Sequence, residues 1–316
     1  MHAKRQTARL GVALRDAYPW SDLASVVNLA EAAGYEAVFL PEVGVRDTLA
    51  TLTGLAGETT SILLATGVVP LPSRSPSLLA MAAATAQERS GGRVILGIGT
   101  GPSGPGALER LREVVTALRW LFAGGEATLD GKRLDLGLVP AAPPPIWIAA
   151  LGPRAGRLAG QIADGVILNW CTPERVVTAR AEVAEGAEAA GRDPADVTVA
   201  VYVRSCLDGD PATRRDAVRP VVAGYAGSAA YARQFASLGL GRSAAAAANA
   251  GRAGRFDDVP DDLVEATCLV DDQTAGARIQ AYREAGADLP IVYPVLVEGR
   301  PLADSAAATI RALAHV

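Results

Sequence analysis

Eight short apolar runs recur along this chain, at 9–14, 37–40, 63–66, 94–98, 146–149, 165–168, 197–204 and 291–294, with amphipathic helical stretches between them. That alternation is the pattern of a parallel sheet covered by helices. Eight such units in 316 residues point to an α/β fold, a (β/α)8 TIM barrel, over an open doubly wound sheet. The expected domain organisation is a single domain over 1–316. Segment 206–265, between the seventh and eighth strands, is too long for a simple connection. It reads as a helical insertion of two or three pieces over one end of the barrel, either a surface insert or a lid or oligomer contact. A second departure, 128–134, reads as a small hairpin turning at Asp130-Gly131.

Punctuation supports the helices. Ser21-Asp22, Pro76, Pro153 and Thr172-Pro173 stand at expected helix starts. Gly34, Gly191 and Gly286 stand where helices should stop, because glycine supplies the left-handed residue that ends them.

Several function classes are excluded early. The formal charge of -4 offers no basic footprint for nucleic acid or an anionic membrane. Apolar runs such as 78–86 fall short of the roughly 18 residues a membrane span needs, and the N-terminus lacks a signal-peptide core, so a cytoplasmic protein is expected. Cys171, Cys206 and Cys268 show no C-x-x-C spacing and are expected as reduced, half-buried thiols without structural zinc. The only histidines are His2 and His315. No interior histidine is left for a Ser-His-Asp triad, a Cys-His pair or a His-ligated metal, so no metal site is expected.

The candidate site lies in the loops that follow the strands, where barrels place their ligands. The third strand opens into Gly67-Val68-Val69-Pro70, and the fourth into Gly99-Thr100-Gly101-Pro102-Ser103-Gly104. The latter fits G-x-G-x-x-G, but a dinucleotide fingerprint belongs in the first βα turn of an open sheet, not in the fourth unit. These glycines instead permit close backbone approach to a planar or anionic ligand. Leu151-Gly152-Pro153-Arg154-Ala155 opens a helix after the fifth strand, so its free N–H groups and Arg154 can hold a phosphate. Glycine at 67 marks a bulge or strained backbone. Glu42 and Asn169, at the ends of the second and sixth strands, are candidates for catalysis or ligand contact. Trp147 reads as core and Trp170 as a residue that packs against a ligand.

Taken together, 34–42, Thr66-Gly67-Val68, 90–101 and 162–169 resemble the bacterial luciferase-like monooxygenase family, in its branch of coenzyme F420 (deazaflavin) oxidoreductases such as methylenetetrahydromethanopterin reductase. The resemblance runs from about Arg9 to Leu313. It implies an F420-dependent oxidoreductase that transfers a hydride between deazaflavin C5 and a small organic substrate, and a homodimer. It implies a non-proline cis peptide at Gly67-Val68 behind the ring, with Thr100 and Gly101 bordering the ring or its side chain. Leu151, Gly152, Pro153, Arg154 and Ala155 would hold the phosphate-bearing tail, Glu42 would face the ring as the catalytic residue, and Asn169 would meet the substrate. Some F420 dehydrogenases carry a histidine where this chain has Val43 and a glutamate where it has Pro102, which argues against a sugar-phosphate dehydrogenase. The proton is then left to Glu42, a water or the substrate. Two alternatives stand beside this reading: an FMN-dependent luciferase-like monooxygenase, and a non-catalytic flavin- or deazaflavin-binding protein.

Overall fold

The computed structural model describes residues 9–15, 17–101 and 104–316; His2, Pro102 and Ser103 lie outside them. The eight apolar runs are the staves of a closed parallel barrel: β1 (Gly11–Ala13), β2 (Ala37–Leu40), β3 (Leu63–Thr66), β4 (Val94–Gly99), β5 (Ile146–Ala149), β6 (Gly165–Asn169), β7 (Thr198–Ser205) and β8 (Leu289–Pro294). Each pairs in parallel with its successor, and β8 closes the ring on β1 with Gly11 opposite Ile291.

Alternation of side chains across each strand divides the residues between two cores. Val12, Val38, Leu64, Leu96, Ile148, Val166, Val201 and Val292 point outward into the apolar layer under the helices. Ala13, Phe39, Ala65, Ile95, Trp147, Ile167, Ala200, Tyr202 and Ile291 fill the interior, so the barrel is packed below its mouth. Trp147 is core, as its place in a strand implies.

The helices of the ring are α1 (Trp20–Ala32), α2 (Thr48–Leu55), α3 (Pro76–Arg89), α4 (Ala107–Phe122), α5 (Pro153–Ile162) and α6 (Pro173–Ala189). Helix α1 starts one residue before Ser21, with Pro19 at its N-cap and no side-chain cap. Ser75 caps α3 by accepting from Leu78 N, ahead of Pro76. Gly34, Gly191 and Gly286 take φ of +83°, +69° and +100° beyond their helices. The hairpin pairs Ala127–Leu129 with Lys132–Leu134 around Asp130 and Gly131, both at positive φ. Helices α5 and α6 cross in near contact, since a Cβ on Gly160 would stand 2.0 Å from the Val183 carbonyl oxygen and one on Gly186 2.0 Å from that of Arg157.

The insertion between β7 and β8 holds four helices rather than two or three: α7 (Pro211–Ala226), α8 (Ala229–Ser237), α9 (Gly241–Arg252) and α10 (Asp261–Thr267). The ring then resumes with α11 (Asp272–Glu284) and, after β8, α12 (Leu302–Ala312). The insertion has its own core, in which Val222, Phe235, Ala247 and Leu263 pack with Trp170. All three cysteines are free and fully buried rather than half-buried.

Candidate active site

At the carboxyl ends of the strands, the Gly67–Val68 peptide is cis. The Tyr202 hydroxyl, rising from the interior on β7, donates to the Gly67 carbonyl oxygen at 2.9 Å. Glu42 N donates to the Val68 carbonyl oxygen at 3.3 Å, tying the loop after β2 to the same bulge. Glycine is required next door: a Cβ on Gly99 would meet Val68 Cγ2 at 3.0 Å, and Gly101, at φ +64°, sits against Pro70 and Pro72. The result is a mouth wall of bare backbone and small side chains, with Val68, Thr100 and Gly101 half-buried along it.

Glu42 does not stand free at this wall. Its carboxylate accepts from Arg74 Nε at 2.9 Å and Nη2 at 2.6 Å, from Ser73 Oγ at 3.0 Å and from Thr48 N at 3.2 Å. The side chains of Arg74 and Glu42 are only 7% and 10% exposed. Both carboxylate oxygens of Glu42 are thus occupied by charged and neutral donors, and the side chain anchors Arg74. The sequence left Glu42 as one of three proton sources beside a water and the substrate; these bonds direct its carboxylate to Arg74, Ser73 and Thr48. In return, Glu42 and then Asp47 hold the Arg74 guanidinium well above the usual arginine range, against the opposing effect of burial.

The sequence Leu151-Gly152-Pro153 opens on a cavity of about 880 Å³ between the starts of α5 and α6 and the insertion helix α8. Helix α5 has no side-chain cap, and a Cβ on Gly152 would meet nothing within 4 Å. Arg233 borders the cavity, whereas Arg175, also on its wall, is paired with Glu182 at 2.8 Å. The expected five-residue cradle is divided. Ala155 N donates within the first turn to the Gly152 carbonyl oxygen at 3.1 Å, and Arg154 faces a neighbouring cavity of about 420 Å³ with Gly104, Gly106, Arg112 and Arg157.

Across the mouth, Asn169 Nδ2 donates to the Tyr231 hydroxyl at 2.8 Å, while Asn169 Oδ1 is buried without a partner. Burial first, then the neighbouring Tyr225, push the Tyr231 phenol up to about 12. Gln234 Nε2 latches α8 to this loop by donating to the carbonyl oxygens of Asn169 and Trp170 at 2.6 and 2.7 Å. Trp170, at φ +54°, is 1% exposed and packs on Tyr225 and Phe235. It belongs to the insertion core, not to a ligand face. Sequence reasoning missed Tyr202, Tyr231 and Arg204. For Tyr202 and Arg204 a signal existed, two large polar groups at the same parity within an apolar run of the seventh strand.

Comparison with known proteins identifies the family and the fold. The profile of the luciferase-like monooxygenase family matches residues 5–289. The chain is 36% identical over 219 residues to the 5,10-methylenetetrahydromethanopterin reductase of Methanolobus tindarius, a stretch covering 65% of this chain and 67% of that protein. It is 32% identical to the F420-dependent glucose-6-phosphate dehydrogenase of Beutenbergia cavernae, over 63% of this chain and 68% of that one. Matched stretches thus span about two thirds of each relative. The coenzyme F420 dependent tetrahydromethanopterin reductase from Methanopyrus kandleri shares the fold, with a TM-score of 0.78 at 22% identity over 97% of this chain and 98% of that one. Among the described residues no helix is long and apolar enough to cross a membrane, and no group of acids, cysteines and histidines could hold a metal ion.

Proposed function

The chain belongs to the luciferase-like monooxygenase family, and from that premise we propose that it is a cytoplasmic, single-domain, coenzyme F420-dependent oxidoreductase acting on a small organic substrate. The observation that carries the proposal is the group Val68, Thr100 and Gly101 half-buried at the strand ends, beside an uncapped helix N-terminus, in a chain whose relatives include F420-dependent dehydrogenases. The residues fit such a group. A flat ring needs a wall of backbone and small side chains; Val68, Thr100 and Gly101 are half-buried at the strand ends, and Gly67 and Gly99 leave room for Tyr202 and Val68 to pack behind them. A phosphate-bearing tail needs a helix start with positive charge nearby, and α5 begins without a side-chain cap, with open space at Gly152 and an exposed Arg154.

When bound, F420 supplies a hydride donor or acceptor at C5 of its deazaflavin ring. In the proposed division of work, Gly67 and Val68 back the ring, with Tyr202 fixing the Gly67 carbonyl from below. Thr100 and Gly101 border it. Leu151, Gly152 and Pro153 receive the tail, and Arg154 and Ala155 extend that start of α5, with the exposed Arg154 adding positive charge. Asn169 orients the substrate through its unpartnered Oδ1. Tyr231 already accepts a hydrogen bond from Asn169, so its own O–H proton is free to be donated to the substrate. It is a neutral hydrogen-bond donor, and burial pushes its pKa further up. Glu42 positions the loop after β2 through Arg74 rather than delivering a proton. The homodimer is part of this reading; Leu78 and Met81 on α3 and Trp120 on the adjacent α4 stand exposed and offer it an apolar face.

Titrating the purified chain with reduced F420 and with reduced FMN, followed by calorimetry, tests the proposal. Tight binding of F420 is expected. Binding of FMN alone would replace it with the monooxygenase reading, and binding of F420 without turnover over a broad acceptor panel would leave a carrier protein.

A further inference from the structure

Arg204 is the next-to-last residue of β7, with its neighbours fixed by the barrel: Tyr293 is opposite on β8, and Tyr202, two residues earlier on the same strand, faces the interior. Its guanidinium is ringed by aromatic faces, with Cζ 3.9 Å from the Tyr293 centroid, 5.0 Å from Trp170, 5.4 Å from Tyr225 and 5.7 Å from Tyr202. It is 4% exposed. Among the described residues it makes no ion pair, Nη1 has no acceptor, and Nη2 donates only to the Tyr225 hydroxyl at a long 3.3 Å.

The contrast with Arg175 is instructive. Arg175 is also buried, but Glu182 neutralises it at 2.8 Å. A buried charge without a counterion is costly, and aromatic faces offset only part of that cost. A fold that keeps such a cation at its ligand end has either a structural staple or a place for an anion. The surroundings favour the second. The rings nearest the mouth, Tyr225, Tyr231 and Tyr293, are half-buried, and Asn169 Oδ1 lies unpartnered on the strand that pairs with β7.

We infer that Arg204 is a substrate-binding residue that selects a small organic carboxylate carried on a flat, apolar body. This deepens the function proposed above and rests on it for the identity of the ligand as a substrate. The carboxylate displaces the weakly held Tyr225 phenol and takes a forked, charge-assisted pair of hydrogen bonds from the guanidinium. The body of the ligand lies against Tyr225, Tyr231 and Tyr293. Asn169 and Tyr231 meet its polar edge.

The test is calorimetric titration of the full chain, with and without F420, using trans-cinnamate and its neutral counterpart cinnamamide. Cinnamate is expected to bind at least about tenfold more tightly, the span of a hydrogen bond to a charged group. In R204Q that preference should fall to within about twofold, while R204K, a point charge without the fork, keeps a reduced preference. Equal affinities in the wild type, no binding of either ligand, or a preference that survives R204Q would each overturn the inference. The wild-type pair decides the matter even where R204Q does not fold. A retained cinnamate preference in a chain that does not bind F420 would refute the proposed function and leave the carboxylate site standing.

Discussion

The contact between Gly67 and Tyr202 can be dissected by replacing Gly67 with alanine. A Cβ there would stand 2.0 Å from the Tyr202 hydroxyl oxygen and 3.1 Å from Phe39 Cβ. Tyr202 is 6% exposed and packed inside the barrel, so it must withdraw by more than an ångström, and the 2.9 Å bond to the Gly67 carbonyl breaks. Overpacking costs about 1–3 kcal/mol, and leaving a buried donor and acceptor unpaired adds about 1–3 kcal/mol. Gly67→Ala should therefore destabilise by about 2–6 kcal/mol. Tyr202→Phe loses the hydrogen bond alone and should cost about 1–2 kcal/mol. In the double variant the struck atom is gone, and the nearest remaining contact is the 3.1 Å approach to Phe39. The two costs should then fall short of additivity by about 1–3 kcal/mol. Urea unfolding of the four proteins, compared at equal m values, measures this coupling. Costs that add within about 0.5 kcal/mol would show that the methyl is accommodated some other way and that the phenol does not brace the bulge.

Glu31 supplies a pH-dependent term. Partial burial raises its carboxyl, but donors from Ser61, Ile62 and Thr60 outweigh that and hold it at about 2, below its ordinary 4.5. Its contribution is complete above about 4.5 and is lost as pH falls toward about 2. The gap in unfolding midpoint between wild type and Glu31→Gln should shrink across that window, and a gap that stays constant refutes the assignment. Burial pushes the Cys171 thiol up to about 12, that of Cys268 to about 11, and that of Cys206 upward as well. A thiol-disulfide reagent at mildly alkaline pH should label none in the native protein and all three in denaturant; native labelling would mean these sites open readily. Gly186→Ala forces a methyl onto the Arg157 carbonyl and should cost about 2–3 kcal/mol. It should also weaken F420 binding, because α5 carries Gly152. Gly224→Ala, with nothing within 4 Å of its Cβ, is the control, and should be neutral or stabilising by up to about 1 kcal/mol.

The barrel was legible because strands buried on both sides read as continuous apolar runs, and all eight begin and end within two residues of the observed bounds. The eighth starts earlier, at Leu289, where Pro290 disguises a strand whose register with β7 continues through it. The alanine-rich stretch from 241 is a helix that the sequence did not resolve as a piece of its own. Ala244, Ala247 and Ala248 share one buried face, and Gly251 lets that face approach Ala223 of α7. Small residues there report close packing, not flexibility. Glu42 was legible as a residue at the mouth but not in its role. Its partner Arg74 is 32 residues away, and no local pattern signals a pairing decided by how two loops fold against each other. Trp170 was misplaced for the same reason: its neighbours Tyr225 and Phe235 come from the insertion.

These outcomes follow a division of labour within the molecule. The wall assigned to the cofactor is built from backbone, with Gly67, Gly99 and Gly101 held by strands whose register leaves no freedom to shift. Backbone geometry of that kind is specified by where glycine is permitted, so it can be read from sequence. The opposite side of the mouth is built from side chains: Tyr225 and Tyr231 come from the insertion, and Arg204 and Tyr293 from the strands flanking it. Side chains of this sort can be exchanged without disturbing a ladder hydrogen bond, because the insertion packs around a separate apolar core. Substrate preference should therefore be set by the insertion and its two flanking strands, while cofactor identity stays with the glycines. In such a design Arg204, without an ion pair among the described residues, has its stem fixed by the barrel and aromatic faces supplied around its head, Tyr225 from the insertion among them.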